Sequence, residues 1–442
     1  YSGRTRMKDV IGIRRETKDK TEHRAPLTPD QVRRLVDEEY LTVIVEPSDT
    51  RIFTDKEYRA AGAKVSKDLT SCNLILGVKE VPIKDLLPNQ RYLFFSHTIK
   101  AQPYNMKMLK TIMKKEITLL DYELITNDEG RRMVFFGNYA GYAGLINTLW
   151  TVGQRMNKLG VKSPFQHLKQ TSRYDSLQDA ITGLDELGDL ISAEGLPDEL
   201  TPFVCGFTGY GQVSKGAQKM FDYLPVIKLQ PDELPGFFAR KEFSNRHVYA
   251  AEFYETDMFE PKDPVEPFDL DTYFTEPERY QARFADFLPY LSAIVNGIYW
   301  APEYPRLISK KELKAATRKK GNCPLIAIGD ITCDIEGSIE MTMKAMTSTK
   351  PVYVYNPTDD SITDGFAGTG IAMMTIDKLP AELPREATAA FGESLLPFLP
   401  SLAAADFEDE PEDMEIAPPM RRAFITHRGE LQERFEFLKE HV

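Results

Sequence analysis

Between Asp9 and Thr126, five short apolar runs alternate with polar or helix-spaced stretches, and that alternation restricts the fold more than any other feature. The runs are "DVIGIRR", "LTVIVEPS", "CNLILGVKEVP", "RYLFFSHTIKAQ" and "EITLLDYELIT". Each has the length and the Val, Ile and Leu content of a strand. Between the first two, "TPDQVRRLVDEEY" has helical spacing, with Thr28 as the cap and Pro29 at the first helical position. Strand and helix in turn predict a parallel α/β sheet. At 442 residues the chain exceeds one ordinary core, so two or three domains are expected.

The texture changes after Gly137. Small residues Gly137, Ala140, Gly141, Ala143 and Gly144 lead into an apolar helix, expected to pack closely between two domains. A second helix follows Ser176, with Leu177, Ile181, Leu184 and Leu187 on one face. The strand "PFVCGF" then runs into "FTGYGQVSKGA". The stretch 242–290, rich in aromatics, acids and Pro, reads as an insertion, after which "AIVNGIYW" and "PLIAIGDITCD" resume the strand pattern. "DFEDEPEDMEIAPP" reads as a solvated loop and "RGELQERFEFLKEHV" as a closing helix.

A nucleotide-binding βαβ unit needs glycines where the backbone turns tightly and approaches a pyrophosphate. Gly209 and Gly211 have that spacing, after a strand and before a helix, while the third position is Ser214. The helix N-terminus would take the anion. An ordinary tight turn is the alternative. The next strand, "LPVIKLQP", ends at Leu229 and Gln230 with Lys228 beside them, where NAD-binding units place an acid. With no carboxylate there, NADP (bound as NADPH) is expected over NAD.

Four polar groups stand at corresponding ends of the early runs: His23 and Arg24; Lys79 and Glu80; His97 and Lys100; and Glu123 with Arg131 and Arg132. Carboxyl ends of parallel strands are where open α/β sheets bind ligands. Each could equally be a hydrogen-bonded structural residue or a surface pair. A balance of 55 basic against 67 acidic residues, net −12, speaks against nucleic acid and anionic membranes as partners. No apolar run approaches the ~18 residues of a membrane span. Cys72, Cys205, Cys323 and Cys333 are scattered, so buried thiols are expected and no metal site.

In order, "RRETKDKTEHRAPLTP", "LILGVKE", "FFSHTIKAQ", "DYELITNDEGRRMVFFGNYAGYAG", "FTGYGQVSKGAQ", "NGIYW" and "LPAELPREAT" resemble the lysine–2-oxoglutarate reductase family, the N-terminal halves of bifunctional α-aminoadipic semialdehyde synthases. They are also similar to fungal lysine-forming saccharopine dehydrogenase and, more distantly, to alanine dehydrogenase. The resemblance implies two Rossmann-like α/β domains with parallel sheets around a central cleft. The substrate domain would be discontinuous, formed by 1–138 and 354–442, with the dinucleotide domain over 139–353. It implies NADPH-dependent condensation of L-lysine with 2-oxoglutarate to saccharopine, opening lysine degradation. Lys79 and His97 match the acid–base pair. Arg24, Glu80, Glu123, Arg132 and Asp334 match substrate-binding positions, with Arg131 and Asp330 as alternatives. Thr208, Gly209, Tyr210, Gly211, Gln212, Val213, Asn296, Gly297 and Tyr299 match the cofactor site. A homo-oligomer, a saccharopine dehydrogenase domain in a longer protein, and a mitochondrial or cytoplasmic location stay open. So do two rivals, an alanine-dehydrogenase-like amino acid dehydrogenase and a non-catalytic nucleotide sensor.

Overall fold

The computed structural model describes residues 9–318 and 323–442. The chain forms two compact units. One takes the chain up to Phe136 together with Pro384–Val442, and the other is Gly137–Leu383.

In chain order the strands of the first stretch are β1 (Val10–Ile13), β2 (Thr42–Val45), β3 (Lys64–Val65), β4 (Leu74–Leu76), β5 (Arg91–Phe94) and β6 (Thr118–Asp121). The second unit contributes β7 (Phe203–Thr208), β8 (Val226–Leu229), β9 (Val248–Phe253), β10 (Phe259–Pro261), β11 (Tyr280–Ala282), β12 (Ala293–Asn296), β13 (Ala327–Asp330), β14 (Val352–Tyr355), β15 (Ile362–Asp364) and β16 (Ile371–Met374). The returning segment adds β17 (Phe424–His427) and β18 (Glu430–Leu431).

The first unit has one sheet in the order β18-β17-β6-β5-β4-β1-β2-β3. Its six early strands run parallel, and β17 joins β6 antiparallel. All five apolar runs of the early sequence are strands. Helix α1 (Pro29–Asp37) starts as its sequence implies, with Thr28 and Gln31 forming a reciprocal capping box. Gln31 does more than cap. Its Nε2 donates to the Ala389 carbonyl at 2.7 Å, tying α1 to the returning helix Pro384–Leu395. The expected closing helix after Arg428 is instead the β17–β18 hairpin and a 3-10 segment, Glu433–His441. Pairing of Glu430 and Leu431 with β17 takes the start of that stretch out of a helix.

The second unit has a sheet in the order β15-β14-β16-β13-β12-β7-β9-β8. From β16 to β8 it is parallel, and β14 and β15 are antiparallel additions. Two expectations are corrected here. Because β14, β15 and β16 pair within this sheet, the chain returns to the first unit at Pro384 and not near 354. Nor is 242–290 an insertion as a whole: β9 lies inside the sheet between β7 and β8, and only the β10–β11 ribbon stands apart. The long helix Gly137–Lys158 belongs to the second unit, and its small residues serve an interior contact. A Cβ on Gly141 would fall 2.1 Å from the Val213 carbonyl oxygen, and one on Gly216 would fall 2.6 Å from that of Asn138. The two helix backbones therefore touch only because both residues are glycine. Among the described residues no helix is long and apolar enough to cross a membrane.

Candidate active site

In the first unit four neighbouring parallel strands, β1, β4, β5 and β6, end side by side, and each is followed by charged residues. This is the edge at which open α/β sheets take ligands. After β5 the chain turns sharply. Asp121, at the end of β6 and fully buried, accepts from Ser96 N–H at 2.9 Å and from the Ser96 hydroxyl. That clamp holds His97 at φ +53°, a backbone conformation uncommon for a residue with a side chain. Asn105 Nδ2 donates to the His97 carbonyl at 3.3 Å.

His97 Nδ1 lies 2.8 Å from Glu80 Oε1, and Lys18 Nζ lies 2.7 Å from Glu80 Oε2. Burial alone would raise the Glu80 carboxyl, but hydrogen bonds from His97 and Lys18, with the His97 charge, bring it down to about 2. Glu80 is thus an ionised acceptor, so Nδ1 carries a proton and Nε2 is left for proton exchange. Lys79, half-buried, follows β4 with its backbone N–H on Glu16 Oε2 at 3.1 Å. Glu16 also accepts from Val78 N–H, and burial pushes its carboxyl up despite Arg14 beside it.

The expected role of one arginine, Arg24, changes. Lys79 acts electrostatically on Glu22: burial opposes the Glu22 charge, and Arg24 first, then Lys79, hold that carboxyl below its ordinary value. Arg24 is buried and grips Glu22 with two bonds, Nε to Oε1 at 2.8 Å and Nη2 to Oε2 at 2.7 Å. Its fork is spent inside the protein, and its guanidinium lies 4.3 Å above the Phe136 ring centre. The expected bidentate grip of Arg24 on a substrate carboxylate is therefore corrected to a structural pair. Arg132 is half-exposed and 3.0 Å from Glu123 Oε1, with Lys100 at 4.0 Å from the same oxygen. Arg131 is exposed on the turn. His23 is occupied by the Thr50 carbonyl at 2.5 Å. Glu16, Lys18, Glu22 and Asp121 were missed as candidates, although the first three fall in the charged run after β1.

In the second unit β7 passes through Thr208 into Gly209, at φ +79°, whose N–H donates to the Phe253 carbonyl at 3.0 Å. The helix Gln212–Phe221 begins directly after Gly211. A Cβ on Gly211 would meet nothing within 4 Å, so no neighbour in the protein requires a glycine there. Close approach of an external anion to the helix N-terminus would require it. Tyr210, Gln212 and Val213 are at least partly accessible around this loop. Gly297 packs at the helix start, with Val213 Cγ1 at 3.1 Å from its Cβ position.

Asn296 and Thr208 lie beneath the loop and are fully buried. Thr208 donates to Asn296 Oδ1 at 2.6 Å, and Asn296 Nδ2 donates to Asp330 Oδ1 and Ser338 Oγ, both at 2.9 Å. Their side chains support the loop and are not available as direct cofactor contacts. Asp330 is sealed in that network, its carboxyl pushed up by burial, whereas Asp334 and Tyr299 are exposed. Finally, β8 is the edge strand and β9 is the neighbour of β7. Leu229 and Gln230 therefore do not follow the strand next to β7, so the absence of an acid there carries no weight for NADP, and the NADPH expectation rests on the family resemblance.

Residues 12–143 match the family described as alanine dehydrogenase/PNT, N-terminal domain. The chain is 39% identical to α-aminoadipic semialdehyde synthase of Arabidopsis thaliana, over 97% of its own length, and 37% identical to the mitochondrial enzyme of that name from Rattus norvegicus, over 98%. Along nearly its whole length the chain is similar to the α-aminoadipic semialdehyde synthases. It spans only 41% and 48% of those two proteins. A saccharopine dehydrogenase (NAD(+), L-lysine-forming) of Emericella nidulans is 26% identical over 88% of this chain and 91% of the relative. Among solved structures, an L-alanine dehydrogenase aligns with a TM-score of 0.63 at 17% identity, covering 98% of this chain and all of the other. A transhydrogenase from Sinorhizobium meliloti aligns at 0.56 and 14% identity, over 96% of this chain and all of the other. These two likenesses establish the fold, a pair of Rossmann-like α/β units.

Proposed function

We propose that the chain condenses L-lysine with 2-oxoglutarate and reduces the product to saccharopine, the entry to lysine degradation. The observation that carries this reading is the His97–Glu80 pair at the end of β5, with Nδ1 held by an ionised carboxylate and Nε2 left to move a proton. The names of the synthase relatives and of the fungal lysine-forming saccharopine dehydrogenases support the same chemistry. The mammalian relatives' names support a mitochondrial location.

The reaction sets two proton problems. A lysine ε-ammonium, ordinarily near ~10.4, must lose a proton before it attacks the ketone. The carbinolamine must then gain one to expel water. His97 serves both through Nε2, while Glu80 fixes its tautomer and stabilises the charged ring. Lys79 sets the local field beside Glu22. Arg132, half-exposed next to Glu123, receives a carboxylate of 2-oxoglutarate, and Glu123 orients that arginine. In the second unit the glycine loop and the helix start at Gln212 hold the dinucleotide pyrophosphate. When bound, the reduced nicotinamide supplies the hydride that reduces the imine.

The test is oxidation of the reduced dinucleotide with L-lysine and 2-oxoglutarate, supplied together and singly. Turnover only with both supports the reading. Turnover with a 2-oxo acid and ammonia, without lysine, would replace it by an amino acid dehydrogenase, and cofactor binding with no turnover would leave a sensor.

A further inference from the structure

Strand pairing runs out just before the residues that carry the candidate chemistry. β1 and β4 pair as far as Ile13↔Leu76, and the Arg14 N–H adds one last bond to the Leu76 carbonyl at 3.0 Å. The amides of Val78 and Lys79 come after that point, with Val78 fully buried. One side chain serves both. Glu16 Oε1 accepts from Val78 N–H at 2.8 Å, and Oε2 accepts from Lys79 N–H at 3.1 Å. The Glu16 side chain is 4% exposed, and burial raises its carboxyl although Arg14 Nη1 stands 3.8 Å from Oε2. The two oxygens of a carboxylate match two successive N–H groups. A glutamine would offer one oxygen and turn its amino group toward the other N–H, and an alanine would offer nothing.

The same peptide is held from its other side. The Val78 carbonyl accepts from Phe95 N–H at 3.1 Å, two residues before His97. Glu80 follows Lys79 directly and meets His97 Nδ1 at 2.8 Å. The segment bearing Glu16 is itself tied down: Arg14 Nη2 donates to Thr17 Oγ1 at 2.8 Å, and the Thr17 hydroxyl donates to Asp85 Oδ2 at 2.7 Å. Lys18 also reaches Glu80, but its side chain is half-exposed on a flexible stem, so it balances the charge without fixing the backbone.

We propose that Glu16 is a positioning residue: by holding the Val78 and Lys79 amides it places Glu80 against Nδ1 of His97 and so keeps the ring proton on that nitrogen. The inference rests on the proton-transfer role given to His97 above. Glu16 acts only through the backbone that carries Glu80. A displacement of that backbone by about 1 Å would stretch the Glu80–His97 contact beyond hydrogen-bond range and let Nε2 compete for the proton.

The experiment compares E16Q and E16A with the unsubstituted chain. Nitrogen-15 NMR of histidine-labelled protein, with the His97 signals identified by their loss in H97Q, reads which nitrogen of the neutral ring carries the proton and needs no substrate. Nδ1 should be protonated in the unsubstituted chain, with a growing share on Nε2 in E16Q and then in E16A. The kcat for lysine and 2-oxoglutarate should fall in the same order, about tenfold and about 10²-fold, with the KM for 2-oxoglutarate and the dinucleotide Kd held within about twofold. E16Q has nearly the shape of the native side chain and keeps the test open if E16A does not fold. A lowered urea midpoint with the ring proton and kcat unchanged would make Glu16 structural only and overturn the proposal. A shifted ring proton in a chain that never turns over lysine would overturn the lysine reading and uphold the role of Glu16.

Discussion

Replacing Glu80 with glutamine isolates the carboxylate that holds His97, because the two side chains have nearly the same shape. Glu80 is 6% exposed, and its ordinary 4.5 is brought to about 2 against the burial that would raise it. That depression corresponds to roughly 3 kcal/mol of net preference for the charged form. His97 and Lys18 are its main sources. The part owed to His97 is lost as preference for the charged imidazole, on the order of tenfold. The amide adds a second loss. It can offer N–H to Nδ1, which moves the ring proton to Nε2 and disables the base; loss of a comparable carboxylate–histidine arrangement costs ~10⁴ in rate. For E80Q the expected outcome lies between these values, a fall in kcat of about 10²-fold or more. Steady-state kinetics with lysine, 2-oxoglutarate and reduced dinucleotide measures it, alongside dinucleotide Kd, which should hold on the proposal that the glycine loop of the second unit binds that ligand. A kcat within about threefold of the unsubstituted enzyme, or an equal loss of dinucleotide affinity, would refute the role of the pair.

His97→Ala and Lys79→Ala should each lower kcat far more than they weaken dinucleotide binding, measured by the same kinetics and titration. Arg24→Ala should act on stability, costing ~3–5 kcal/mol by stranding buried Glu22, read as a lowered urea midpoint. Arg132→Ala should instead raise KM for 2-oxoglutarate with that midpoint unchanged, and an unchanged KM would remove Arg132 from the site. Gly211→Ala should leave the melting temperature alone yet weaken dinucleotide binding, whereas Gly209→Ala, at φ +79°, should itself destabilise by ~1–2 kcal/mol. Because the folded pKa of Glu80 is depressed, its contribution to stability is complete above about 4.5 and disappears as pH falls toward 2. The urea midpoints of the unsubstituted chain and E80Q should therefore converge across that window, and a constant gap would contradict the assignment.

Local pattern carried much of this molecule. The five early apolar runs, the Thr28–Pro29 helix start and the Ser176 cap are all present as the sequence implies, because each depends on neighbours within a few residues. Long-range pairing was not legible. The order β7-β9-β8 reverses what adjacency in sequence suggests, so β8 is not the neighbour of β7 that its place in the chain implies. The β17–β18 hairpin was hidden for a similar reason: its partner, β6, lies some 300 residues upstream. In the candidate site, His97, Glu80 and Lys79 were visible because they directly follow strands. That Glu22 occupies the fork of Arg24 was not, since two adjacent charges in a turn give no sign of which is buried. Asn296 shows the opposite error, a polar residue at a strand end whose bonds all turn inward.

The central claim is that both nitrogens of lysine remain in a product joined to the carbon skeleton of 2-oxoglutarate. The direct measurement is mass spectrometry of the product formed from lysine labelled with ¹⁵N at the ε position, 2-oxoglutarate, unlabelled ammonia and reduced dinucleotide. The account predicts saccharopine carrying the label in the new secondary amine. Glutamate formed from added ammonia, with labelled lysine recovered unchanged, would contradict it.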